Sequence, residues 1–213
     1  MKNIKTTKMV ALLACLCLVT ACFVGGTLAK YTTNGTGSDS ARVAKFGVVV
    51  TATSDSMFAT EYNDEDADYA GLSVKSDTTD MLVAPGTEGT LTEVALSGTP
   101  EVAVRVTNDA DLTLTGWEVN GAEYCPIVIT VGTTEYKMTG TIAEFEAAVE
   151  EAIEEYTADY APGTDLSAET GACPTVSWAW AFEGNDDAKD TALGDAGAAK
   201  IALDITTTVT QID

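Results

Sequence analysis

Histidine is absent from all 213 residues of the chain. That absence removes the Ser-His-Asp triad, the Cys-His dyad and the HExxH zinc helix together, because each needs an imidazole as base or ligand. Basic residues are scarce as well: 11 Lys and Arg stand against 33 Asp and Glu, a net charge of −22. Such a polyanion does not bind nucleic acid by neutralising phosphates, and anionic lipid surfaces repel it. The acidic balance reads as a solvated surface that keeps the chain soluble. No Gly-rich phosphate loop follows a strand. The many carboxylate pairs arise from abundance, whereas a glycosidase needs two specifically spaced carboxyls in a cleft. These absences argue against an enzyme.

Long apolar runs are lacking too, with one exception. Lys2, Lys5 and Lys8 precede a 16-residue apolar stretch from Met9 to Val24, and no acidic residue occurs before Ala29. The stretch is shorter than the roughly 20 residues that span a bilayer as a helix. Gly25-Gly26 end it, and Thr27-Leu28-Ala29 place small residues before a cut after Ala29. This is the anatomy of an export signal. Lys30 then becomes the mature N-terminus, and the chain is secreted to the cell surface or matrix. A competing reading takes Val19-Thr20-Ala21-Cys22 as a lipobox, with lipidation at Cys22. Removing residues 1–29 leaves 8 basic and 33 acidic residues, a net charge of −25. The expected organisation is a signal peptide over 1–29, a flexible Ser/Thr/Gly-rich arm over 30–42, and one domain over 43–213.

Period-two patterns dominate the remainder. Apolar residues alternate in Phe46–Ala52, Val102–Thr107, Leu112–Thr115, Ile127–Val131, Val176–Phe182 and Ile201–Val209. One apolar face per strand means half-buried strands packed face to face. Turn signals separate them: Pro85-Gly86, Ser97-Gly98-Thr99-Pro100, Asn108-Asp109, Asn120-Gly121 and Pro162-Gly163. The expected fold is an all-β antiparallel sandwich. One helix interrupts it over about 141–156. Thr141 and Glu144 have capping-box spacing. Ile142, Phe145, Val149, Ile153 and Tyr156 share one face, and Glu146, Glu150, Glu151, Glu154 and Glu155 the other.

Only Cys125 and Cys173 of the five cysteines lie beyond the leader. An even number in an exported chain favours a disulfide between them. It would close a loop of about 49 residues and contribute roughly 4 kcal/mol; the alternative is two buried thiols. The segments 61–68 and 183–195 read as long, exposed acidic loops. Asp64, Asp66 and Asp68 alternate as the first ligands of a calcium loop do. Tyr69 and Lys75 break the EF-hand pattern, which leaves at most weak calcium binding and no other cofactor. Trp178 and Trp180 alternate with small residues, which suits a core more than a sugar platform.

Gly25-Gly26-Thr27-Leu28-Ala29-Lys30-Tyr31 resembles the leader of proteins cut by the SipW type of signal peptidase. Val83-Ala84-Pro85-Gly86-Thr87, a following strand and Val106-Thr107-Asn108-Asp109-Ala110 are similar to the hairpin of the same family, and Ile201–Ile212 to its last strand. On these motifs the chain resembles the TasA/camelysin group of Gram-positive biofilm matrix proteins. The resemblance implies a jelly-roll sandwich that polymerises head to tail with copies of itself, and with minor fibre subunits. In that scheme an N-terminal donor strand (Val43, Phe46, Val48 and Val50) enters the neighbour's sheet. The metalloprotease activity attached to camelysin does not carry over, for want of histidine and a zinc motif. Repulsion at −25 per subunit should make salt or divalent cations favour polymerisation. The alternative is a monomeric surface module that holds a glycan or calcium, lipid-anchored at Cys22.

Overall fold

The computed structural model describes residues 9–10, 40–51, 57–64, 71–91, 94–169 and 171–213. The chain divides into a unit of residues 1–42 and a unit of residues 43–213. The second carries every assigned strand. In chain order these are β1 (Val49–Thr51), β2 (Glu61–Asp64), β3 (Gly71–Lys75), β4 (Thr87–Leu91), β5 (Ala95–Ser97), β6 (Val104–Thr115), β7 (Glu118–Val119), β8 (Ala122–Glu123), β9 (Val128–Val131) and β10 (Thr134–Lys137). Helix α1 (Ile142–Glu154), β11 (Ala158–Tyr160), β12 (Val176–Trp180), α2 (Asp187–Ala196) and β13 (Lys200–Gln211) follow. The class is all-β: among the described residues every strand pairing is antiparallel, and residues 43–213 carry two α-helices, α1 and α2.

Two larger sheets organise the unit, with strand orders β10-β9-β12-β4 and β11-β6-β13. Alternation does the sorting. In β12, Val176, Trp178 and Trp180 are buried while Ser177 and Ala179 are half-buried. Trp178 donates from Nε1 to the Met57 carbonyl at 2.7 Å, so the indole is satisfied inside the core as expected for a packing residue. Trp117, which the sequence pattern left unread, packs against Trp180 with ring centres 5.7 Å apart and planes tilted by 52°, and donates to the Lys200 carbonyl. The main core joins these rings to Leu112, Ile127, Ile129, Phe145, Val149 and Ile153. A second, smaller core holds Leu96, Val104, Val106, Tyr160, Leu166 and Cys173.

Helix α1 forms where the capping box and the apolar stripe place it. Thr141 Oγ1 accepts from Glu144 N, and Glu144 Oε2 accepts from Thr141 N, satisfying two end donors at once. Phe145, Val149, Ala152 and Ile153 are its buried face. Between β7 and β8, Asn120 at φ 54° and Gly121 at φ 77° make the left-handed turn that a two-residue hairpin requires.

Four expectations are corrected. Asn108-Asp109 is no turn: β6 runs unbroken for 12 residues, because the Asn108 side chain finds three hydrogen-bond partners in place of a turn. Residues 61–64 of the first acidic loop form β2, paired with β3. The second acidic loop forms α2: Asp186 caps its first turn by accepting from Lys189 N, and Gly197 ends it at φ 59°. Finally, Glu146 and Glu150 do not sit on a purely solvated face of α1, since both reach β6.

Candidate assembly surface

Strand β6 lies at the centre of its sheet, and its two flanks differ. On one flank β11 pairs only with Val104–Val106. Beyond that point α1 takes over. Glu150 Oε1 accepts from Leu112 N at 2.9 Å and Glu146 Oε1 from Leu114 N at 2.6 Å. Leu112 and Leu114 are buried residues, and the two carboxylates satisfy their main-chain donors in a partly buried setting.

On the other flank β13 pairs with β6 over its full length, from Lys200↔Thr115 to Gln211↔Val104. Among the described residues β13 has no second neighbour. In an antiparallel ladder the main-chain groups of successive residues point to opposite sides. Leu112 and Leu114 point theirs at α1, so their register partners Leu203 and Ile201 point theirs away from β6. Ile201, Leu203, Ile205, Thr207 and Val209 therefore turn N–H and C=O groups to an open edge. The same five side chains face the cores and are only half-buried. Both the backbone and the apolar face of β13 are incompletely used, which is the condition under which another strand adds to a sheet.

The other sequence-derived positions are scattered. Val49, Val50 and Thr51 pair with Ser97, Leu96 and Ala95 of the same chain, and Val48 packs on the second core. Lys45 is held to Glu101 by two bonds of 2.8 Å, Lys45 N to Oε2 and Glu101 N to the Lys45 carbonyl. Val43 is 92 % exposed and Phe46 41 %. Of the four donor-strand residues, then, Val48 and Val50 are engaged in the chain's own fold and Val43 is open to solvent. Cys22, Ala29, Lys30, Asp66 and Asp68 lie outside the described residues, and Asp64 ends β2. The expected disulfide is corrected: Cys125 and Cys173 are separate buried thiols, one in each core. Burial pushes the Cys125 thiol up to about 12, so it is protonated and not nucleophilic at neutral pH.

An open groove of about 1120 Å³ borders β8, β9 and the start of α2, with Glu123, Tyr124, Lys137, Glu183 and Asp187 in its lining. The Tyr124 hydroxyl donates to Asp190 Oδ1 at 2.6 Å, and Lys189 Nζ lies 5.1 Å from the Tyr124 ring centre. Burial, with Asp190 as hydrogen-bond acceptor, raises the Tyr124 phenol. The trio ties α2 to the β8–β9 segment. Among the described residues no three carboxylates or cysteines converge in a way that could hold a metal ion. No family model matches the chain, nor does any curated protein or solved structure.

Proposed function

We propose that the chain is an exported structural subunit of extracellular matrix fibres, a jelly-roll-like sandwich whose N-terminal arm adds as a strand to the neighbouring subunit. The observation that supports this is the open edge of β13: 12 residues of strand with half-buried aliphatic side chains and no outer neighbour among the described residues. Natural proteins usually blunt such an edge with short strands, proline or cover. On this reading residues 45–51 anchor the arm to its own subunit through Glu101 and β5, and the donated segment lies before Lys45. A head-to-tail contact of this kind does not close, so it propagates.

The test is electron microscopy of protein starting at Lys30 beside protein starting at Lys45. Filaments from the first and none from the second are expected. Filaments from both would overturn the role of the arm. Cutting further, through Val50, would remove β1 and confuse loss of assembly with loss of folding. The groove beside Tyr124 favours a second reading, a monomeric surface module that holds a glycan or calcium. Mass spectrometry of the native N-terminus separates the two: a diacylglyceryl group on Cys22 supports the module, a free Lys30 the fibre.

A further inference from the structure

The opposed charges of the N-terminal arm and the β6–β13 face have a consequence for assembly, and it rests on the strand-addition reading above. We propose that the open β13 edge selects the N-terminal arm of a second copy by charge, with Asp109, Asp111 and Asp204 as the receiving carboxylates.

Charge is sorted very unevenly along the exported chain. Residues 30–44 carry Lys30 and Arg42 against Asp39, a net charge of +1, to which cleavage after Ala29 adds an α-amino group. Residues 45–213 carry 6 basic and 32 acidic residues, a net charge of −26. The bodies of two copies therefore repel each other, and the arm is the segment of opposite sign.

The outer face beside the open edge suits that arm. Asp204 stands directly opposite Asp111 in the ladder, with Asp109 two residues further along the same exposed face. Like charges directly opposite each other destabilise a sheet. Lys75, Arg105, Lys137 and Lys189 form their ion pairs with other carboxylates. Arg105, on the same face, is occupied by Asp159 through two bonds of 2.6 and 2.7 Å. Lys200 sits at the far end, opposite Thr115. A strand laid along β13 would place its outward side chains next to Asp204, where a lysine or arginine relieves the repulsion and a carboxylate adds to it. The flank across β6 is less accessible, because β11 pairs with Val104–Val106 and Glu150 and Glu146 hold the N–H groups of Leu112 and Leu114. Charge thus gives the edge a preference for the arm over the acidic strands of other copies.

A fluorescein-labelled peptide of residues 30–44 tests this by anisotropy, with the mature full-length protein as receptor. Binding should weaken about tenfold between 20 and 200 mM salt, as exposed charge pairs are screened. Asp111→Asn with Asp204→Asn should weaken binding at low salt by about tenfold and flatten the salt dependence. Thermal unfolding of that variant controls for folding; it should be no less stable than the parent, because an opposed like-charge pair is removed. A peptide with Lys30 and Arg42 replaced by Gln should bind weakly at every salt concentration. No binding, or binding insensitive both to salt and to the two Asn substitutions, overturns the charge inference. Filaments from protein starting at Lys45 overturn the strand-addition role of the arm instead, so the two failures are distinct.

Discussion

Replacing Asn108 by alanine should cost this protein more than any surface change of the same size. The side chain is 6 % exposed and makes three hydrogen bonds of 2.7 Å. Its Nδ2 donates to the Tyr156 carbonyl just after α1 and to the Ala172 carbonyl before β12, and its Oδ1 accepts from Thr207 Oγ1 of β13. A net contribution of about 1 kcal/mol per bond sums to about 3 kcal/mol. The Ala172 carbonyl is buried with the bond, so its lost partner adds a desolvation cost and brings the total to about 4 kcal/mol. For a unit of this size each kcal/mol lowers Tm by about 2–4 °C, so a fall of about 8–16 °C is expected. Urea unfolding followed by tryptophan fluorescence measures it, with the slope m unchanged so that the difference belongs to the native state. Asn108→Asp sharpens the test. At pH 7 it sets a carboxylate against two carbonyl oxygens and should be at least as damaging as alanine; at pH 4 the protonated acid can donate one bond, and part of the loss should return. A change below 0.5 kcal/mol for the alanine variant, or a parent-like Asn108→Asp at pH 7, would refute this account of Asn108 as the tie between β6, α1 and β13.

Gly89→Ala should destabilise by about 2–3 kcal/mol, because its methyl group would strike the Met57 carbonyl and come within 2.7 Å of Trp178 Nε1; an unchanged emission maximum and midpoint would count against the packing described. Glu150→Ala should cost about 1–3 kcal/mol by stranding the partly buried Leu112 N–H, and Glu150→Gln should recover most of it. Hydrogen exchange at the Leu112 amide reads this directly, and equal protection in parent and alanine variants would contradict it. Cys125 should resist iodoacetamide at pH 8 in the native state and react once the chain is unfolded. Its native thiol is held at about 12 against an ordinary 9.0. The unfolded thiol therefore loses its proton first, and this group's contribution is complete below about pH 9 and declines as pH rises toward 12. A Cys125→Ser variant should lack that part of the alkaline decline, and identical profiles would rule the thiol out as its source.

Local patterns carried much of the fold. Alternation in Val176–Trp180 and Lys200–Gln211 identified strands and their inner faces, since side-chain direction in a strand depends only on position. Thr141 and Glu144 announced the start of α1, because a capping box is closed within one turn. Asn120-Gly121 announced a hairpin for the same local reason. Asp186–Gly197 was misread as a loop although its cap and its left-handed end were present; its weak apolar stripe hid them, with Asp190 and Leu193 its only buried residues.

The partners of a strand are a different matter, because they are chosen by residues far away in the chain. Asn108 looked like a turn until Tyr156, Ala172 and Thr207 surrounded it, 48, 64 and 99 positions away. Glu146 and Glu150 looked like solvent-facing charge until β6 presented two partly buried N–H groups to them. The sequence by itself determined an acidic, histidine-free, β-rich chain with one capped helix. Only the tertiary structure decided that two carboxylates bond to one flank of β6 while β13 has no outer neighbour among the described residues. Side-chain alternation is a local property, whereas an unsatisfied edge is defined by the strand that does not arrive.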